Sequence, residues 1–178
     1  GNASYYPGDI YTSYLGKTVF ISNTDAEGRL ALADAVSYGV KNYKLDCLVD
    51  IATLTGGIVG AFADVLAGLF SNNDKLAQDL FNAGEKTFER LWRLPLYDEF
   101  RESLKGESAD LNNLSNLGKG NASSITGAAF IENFVENIKW AHIDIAGVAF
   151  NDKKNKDYIP KFGTGFGVRL LVEWLRSL

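Results

Sequence analysis

The sequence predicts an α/β fold: a mixed, mostly parallel central sheet flanked by helices on both faces. Three observations lead there. Segments of strand character alternate with amphipathic helical segments, the order expected of strands joined by crossover helices. Residues 47–54 form a nearly continuous apolar run, as suits a strand buried on both faces of a sheet. The 178 residues are 46% hydrophobic and 22% charged, the composition of an ordinary globular domain. A chain of this size buries roughly 70% of the surface its unfolded form exposes, so a core forms without disulfides.

Taken in order, Lys17-Thr18-Val19-Phe20-Ile21-Ser22 follows a Gly16 turn and reads as a strand. Residues 26–42 read as a helix with Leu30, Ala33 and Val40 on one face. The apolar run 47–54 is the next strand, and Cys47 within it is expected to be a small buried hydrophobe. Residues 65–70 are a weaker strand candidate. Residues 74–90 read as an amphipathic helix through Leu76, Leu80, Phe81 and Phe88, and a short helix over 97–104 follows Pro95. Asn, Ser and Gly dominate residues 106–123, which predicts a loop. Residues 124–137 are helical, 140–146 a strand, and a last helix begins near Gly165 with Val168, Leu171, Leu175 and Leu178 at helical spacing. Neither an internal repeat nor a linker long enough to divide domains is visible.

Charge and composition exclude several functions. A formal net charge of −4 argues against a nucleic-acid binder, which carries a basic balance or stripe. The densest basic run, Lys153, Lys154, Lys156 and Lys161, is broken by Asp152 and Asp157 and reads as a solvated loop. The single cysteine cannot form an internal disulfide, which suits a reducing, cytoplasmic compartment. No segment approaches the roughly 18 apolar residues of a membrane helix, and no signal peptide is visible. Asn-x-Ser triplets begin at Asn2, Asn113 and Asn121 and carry no meaning in a cytosolic protein.

His142 is the only histidine, so neither a His-Glu-x-x-His motif nor a thiolate or imidazole zinc site exists. A Ser-His-Asp triad needs that same histidine and a nucleophile elbow, and no Gly-x-Ser-x-Gly occurs. His142 itself reads as structural. Gly163-Thr164-Gly165-Phe166-Gly167 lacks the lysine of a phosphate loop and reads as the turn that opens the last helix.

The chemistry-bearing candidate is Asn23-Thr24-Asp25-Ala26-Glu27-Gly28-Arg29-Leu30, where a strand ends and a helix begins. Open α/β sheets bind ligands at the carboxyl ends of their strands. Hard divalent cations take carboxylate and carbonyl oxygens, which Asp25 and Glu27 can supply. Arg29 can hold an anion beside backbone N–H groups of the first helical turn. The same residues also fit plain helix capping: Thr24-x-x-Glu27 is a capping box, and acidic residues favour any first turn. Spacing leaves both readings open.

The octapeptide resembles, residue for residue, the signature of the leucyl (cytosol) aminopeptidase family. Further stretches resemble that family in the same order: Pro7-Gly8-Asp9-Ile10, Gly16-Lys17-Thr18-Val19, Ala52-Thr53-Leu54-Thr55-Gly56, Trp92-Arg93-Leu94-Pro95-Leu96, Ala141-His142-Ile143-Asp144-Ile145-Ala146-Gly147 and Thr164-Gly165-Phe166-Gly167-Val168-Arg169. The resemblance covers essentially residues 1–178 and implies part of a C-terminal catalytic domain. It implies a peptidase that releases N-terminal residues, leucine by preference, with two divalent metals, Mn or Zn, and a bicarbonate ion per site. Asp25 would ligate the more exchangeable metal through carboxylate and carbonyl, and Glu27 would bridge the pair. Arg29 would act in catalysis by holding the bicarbonate, with the backbone of Gly28 and Leu54. Thr53, Gly56, Ala146 and Ala149 would line the pocket for the first side chain, and the backbone of Leu54 and Gly56 would bind the peptide.

In that mechanism two metals lower the pKa of a shared water and stabilise the oxyanion, while bicarbonate accepts the water's proton. The family's remaining ligands, a lysine and two aspartates, and a second catalytic lysine lie before the segment that Pro7-Gly8-Asp9 resembles. This chain alone is therefore expected to lack part of the site and to be inactive. The family's hexamer, built from trimers through catalytic domains, implies homo-oligomeric contacts. A non-catalytic assembly domain that keeps the fold is the alternative.

Overall fold

The computed structural model describes residues 4–118, 120–152 and 158–178. Asn2, Lys153, Lys154 and Lys156, and the Asp157 that breaks the basic run, lie outside the described residues. In chain order the strands are β1 (Ile10–Thr12), β2 (Thr18–Phe20), β3 (Leu48–Ala52), β4 (Ala67–Ser71), β5 (Leu91–Arg93), β6 (Leu111–Asn112), β7 (Trp140–Asp144), β8 (Phe150–Asn151) and β9 (Phe162–Gly163). The helices are α1 (Glu27–Asn42), α2 (Gly56–Phe62), α3 (Asp74–Thr87), α4 (Asp98–Glu102), α5 (Ser123–Glu132) and α6 (Val168–Arg176). The mixed α/β class is as expected. The chain folds as two compact units, Gly1–Cys47 with Leu96–Ile138, and Leu48–Pro95 with Lys139–Leu178.

The first unit holds a three-stranded sheet in the order β1-β2-β6. β1 and β2 are antiparallel, and β2 runs parallel to β6 with Val19 opposite Leu111. The hairpin turn needs Gly16 at φ +95°, a conformation that a side chain disfavours. Val19, Ile21 and Leu111 are buried. So are Leu30, Ala33 and Val36 of α1 and Ala128 to Ile131 of α5, and the two helices pack together. Arg101 of α4 grips Glu132 of α5 through Nε at 2.7 Å and Nη2 at 3.0 Å. The Tyr11 hydroxyl donates to the Asp34 carboxylate. Burial, then that carboxylate, raise the phenol well above its ordinary value. β6 interrupts residues 106–123, expected to be loop throughout; its Leu111 is buried by pairing with a strand some ninety residues earlier.

The second unit is built on a four-stranded sheet in the order β3-β7-β4-β5. β3 pairs parallel with β7 and β4 with β5, while β7 and β4 are antiparallel. The two central strands, β7 and β4, are buried along their whole length, as strands covered on both faces are. β3 departs from expectation. It is an edge strand of this sheet and only half-buried except at Asp50, because β7 flanks it on one side alone among the described strands. Cys47, just before it, is likewise half-buried rather than a core residue.

Ile58 of α2 packs where a side chain at Gly68 of β4 would sit, and α3 packs on β4, β5, β7 and α6. α3 stops at Thr87, short of the expected residue 90, because Phe88 turns into the left-handed region at φ +62°. β5 and the β8–β9 hairpin were not foreseen. His142 is structural, as read: wholly buried, its ring stacked on Phe70 and Trp140, with Nδ1 against Asp50 Oδ1. Asp50 Oδ2 also accepts Trp140 Nε1–H at 2.6 Å. The glycine-rich turn does open α6, with Gly167 at φ +96° as its cap.

Candidate active site

In the first unit β2 ends at Phe20, the chain passes through Ser22 and Asn23, and a single 3-10 turn over Thr24–Ala26 leads into α1 at Glu27. The anticipated capping box from Thr24 does not organise this start. Asn23 holds the extended cap position at φ −146°, and its side chain accepts from Asp25 N at 2.9 Å. The 3-10 turn moves the cap one residue upstream and leaves Asp25 and Glu27 at the junction. Both carboxylates and Gly28 are exposed, whereas Arg29 is only 5% exposed.

Burying a guanidinium requires hydrogen-bond acceptors. Arg29 Nη1 donates to the carbonyl of Asn113 at 2.8 Å and Nη2 to that of Ser123 at 3.3 Å. Asn113 is wholly buried. Its Oδ1 accepts from the N–H of Ser22 at 2.8 Å and of Asn23 at 3.3 Å, and its Nδ2 donates to the Asn23 carbonyl at 2.6 Å. The residues before Asp25 and the side chain after Glu27 thus meet at one asparagine. Sequence reasoning missed it: an asparagine in an Asn-, Ser- and Gly-rich stretch looks like any turn residue.

In the second unit β3 and β7 run parallel with Ala52 opposite Asp144, so the turns that leave their carboxyl ends emerge side by side. The first carries Thr53, Leu54 and Gly56; the second carries Ala146 and Ala149. Asp144 joins them. Its carboxylate is wholly buried and accepts from Thr55 Oγ1 at 2.6 Å, Leu54 N at 3.1 Å and Ala146 N at 3.2 Å. Asp144 and Thr55 are a second pair the sequence reading left unassigned, although both lie inside the motifs it quoted.

Ala146 also lines a cavity of about 410 Å³ together with Val59, Ala63, Gly147, Phe150 and Thr164. Gly147 is required there, because a Cβ would strike the carbonyl of Ala63, itself at φ +51°. Thr53, Leu54, Gly56 and Ala149 lie outside that lining.

A divalent cation bound by oxygen takes about six donors. Among the described residues no point gathers three or more His, Cys, Asp or Glu side chains. Asp25 and Glu27 offer two exposed carboxylates, fewer donors than a two-metal centre needs, and the described residues do not by themselves complete one. Arg29 and the first-turn N–H groups of α1 have the chemistry that holds a planar anion. No helix among the described residues is long and apolar enough to cross a membrane.

Residues 1–172 match the model of the cytosol aminopeptidase family, catalytic domain. A probable cytosol aminopeptidase of Protochlamydia amoebophila is 51% identical over 177 residues, covering 99% of this chain and 35% of that protein. One from Chlorobium limicola is 52% identical over 172 residues, covering 96% and 33% respectively. One from Cenarchaeum symbiosum is 48% identical over 179 residues, covering 99% and 36%. The chain spans about a third of the length of these relatives.

Proposed function

Because this chain belongs to the cytosol aminopeptidase family, we propose that it is part of the C-terminal catalytic domain of a metal-dependent enzyme releasing N-terminal residues, with leucine preferred. Asp25 and Glu27 are its contribution to the ligands of two divalent ions, Mn or Zn, with the other ligands supplied outside these 178 residues. A metal pair supplies an activated water and an anchor for the substrate amine.

Arg29 is the catalytic side chain of this segment. Its buried guanidinium, fixed on the carbonyls of Asn113 and Ser123, is a stationary cation for bicarbonate. Gly28 assists through the helix N-terminus. When bound, bicarbonate supplies a general base. Thr53, Gly56, Ala146 and Ala149 are small residues that leave room for a bulky apolar first side chain, and the Leu54 and Gly56 backbone takes up the peptide chain. The setting is the cytoplasm, and the assembly is a hexamer built from trimers, with contacts through this domain.

The observation that carries this reading is the family match over residues 1–172 together with an anchored Arg29 two residues after the second of two exposed carboxylates. The test is leucine release from a leucine-led peptide by the whole natural protein, beside the same peptide with a blocked amine. Release from the free amine only is expected. A protein inert toward both would reverse the reading in favour of a non-catalytic assembly domain.

A further inference from the structure

We propose that Asn113 is a positioning residue that sets the backbone from which Asp25 and Glu27 project; this rests on the metal-ligand reading above. The two carboxylates are exposed, so packing of their own side chains does not fix them. What fixes them lies on either side. Upstream, the Asn113 side chain holds Ser22 and Asn23 through three hydrogen bonds of 2.6 to 3.3 Å. Downstream, its main-chain carbonyl receives Arg29 at 2.8 Å. Its own N–H donates to the Phe20 carbonyl at 3.1 Å, which locks it to the end of β2.

The chemistry calls for an amide. Oδ1 must accept two N–H groups while Nδ2 donates to a carbonyl, which neither a carboxylate nor an apolar side chain of the same size can do. With the residue wholly buried, water cannot stand in for the lost partners. Groups that orient metal ligands from behind typically change metal affinity by about 10- to 100-fold when removed.

The experiment uses the whole natural protein with Asn113→Leu, which keeps the branched side-chain skeleton, and Asn113→Ala, which does not. Manganese affinity is read from free Mn²⁺ by electron paramagnetic resonance, kcat and KM from leucine anilide hydrolysis, and backbone mobility from hydrogen exchange of a peptide covering residues 20–26. The expected result is manganese binding weaker by about 10-fold or more, lower kcat with little change in KM, and faster exchange in that peptide while α5 stays protected. Wild-type manganese affinity in either folded variant would overturn the proposal, since a merely structural asparagine lowers stability and leaves the folded site unchanged. Should neither variant fold, exchange in the unaltered protein decides: protected Ser22 and Asn23 amides support the latch, and unprotected ones refute it. An unaltered protein that neither binds manganese nor hydrolyses the anilide instead sinks the functional reading, and the exchange result still stands by itself.

Discussion

The Thr55 hydroxyl donates to the buried Asp144 carboxylate at 2.6 Å and so ties the turn after β3 to the end of β7. Leu54 N and Ala146 N donate to the same carboxylate from the two turns that carry the proposed peptide-binding residues. Thr55→Val keeps the shape and removes the hydroxyl. It should lower stability by about 1.5–3 kcal/mol, the range for a hydrogen bond to a charged group. Urea unfolding checks this, with a shifted midpoint and an unchanged slope as the expected signature. Asp144→Ala strands three donors and should cost more.

A second prediction concerns α6. Its cap, Gly167, has no side chain, and the carboxylate of Glu89 takes over from the end of α3. Glu89 is 2% exposed; Oε2 accepts from Gly167 N at 3.0 Å and Leu170 N at 2.9 Å, and Oε1 from Arg169 Nε at 3.1 Å. An anion at a helix N-terminus stabilises by up to about 2 kcal/mol when partly buried. Glu89→Gln retains an acceptor and loses the charge, so a loss of about 1–2 kcal/mol is expected, read from thermal unfolding.

Asp110 carries a pH prediction for the first unit. Its Oδ2 accepts from the Thr18 N–H at 2.8 Å and the Thr18 hydroxyl at 2.7 Å. The backbone bond, then the hydroxyl, hold the carboxyl below its ordinary value. A depressed carboxylate favours the fold at pH above its unfolded value of about 3.9, and that contribution is lost as pH falls through the lower folded value. Acid titration from about pH 5 downward should show part of the loss of stability in the native chain absent from Asp110→Asn. Identical acid profiles would contradict it.

Long periodic segments were legible in the sequence. The faces of α1 and α3 follow from side-chain period alone, which needs several turns to declare itself. β5, β6, β8 and β9 have two or three residues each and show no period, so they are visible only once a partner strand is in place. The apolar run of β3 was readable as a strand, but its place at a sheet edge depends on which strand lies beside it. The octapeptide stood out through resemblance; by spacing alone it read as a helix start, and the structure shows Asn23 capping the 3-10 turn that leads into α1. Asn113 and Asp144 act on backbone about ninety residues away. Such links come from the folded topology and leave no local pattern.

The central claim is that these 178 residues carry one share of an aminopeptidase site whose other ligands lie elsewhere in the protein. It is tested most directly by hydrolysis of a leucine anilide with added manganese, comparing this chain with the whole natural protein at equal site concentration. Two carboxylates alone should bind divalent ions only at about millimolar levels or weaker, so the two-metal centre should not assemble in the isolated chain. The expected result is turnover by the whole protein and none by the chain. Equal rates per site in the two, or a whole protein without activity, would contradict the account.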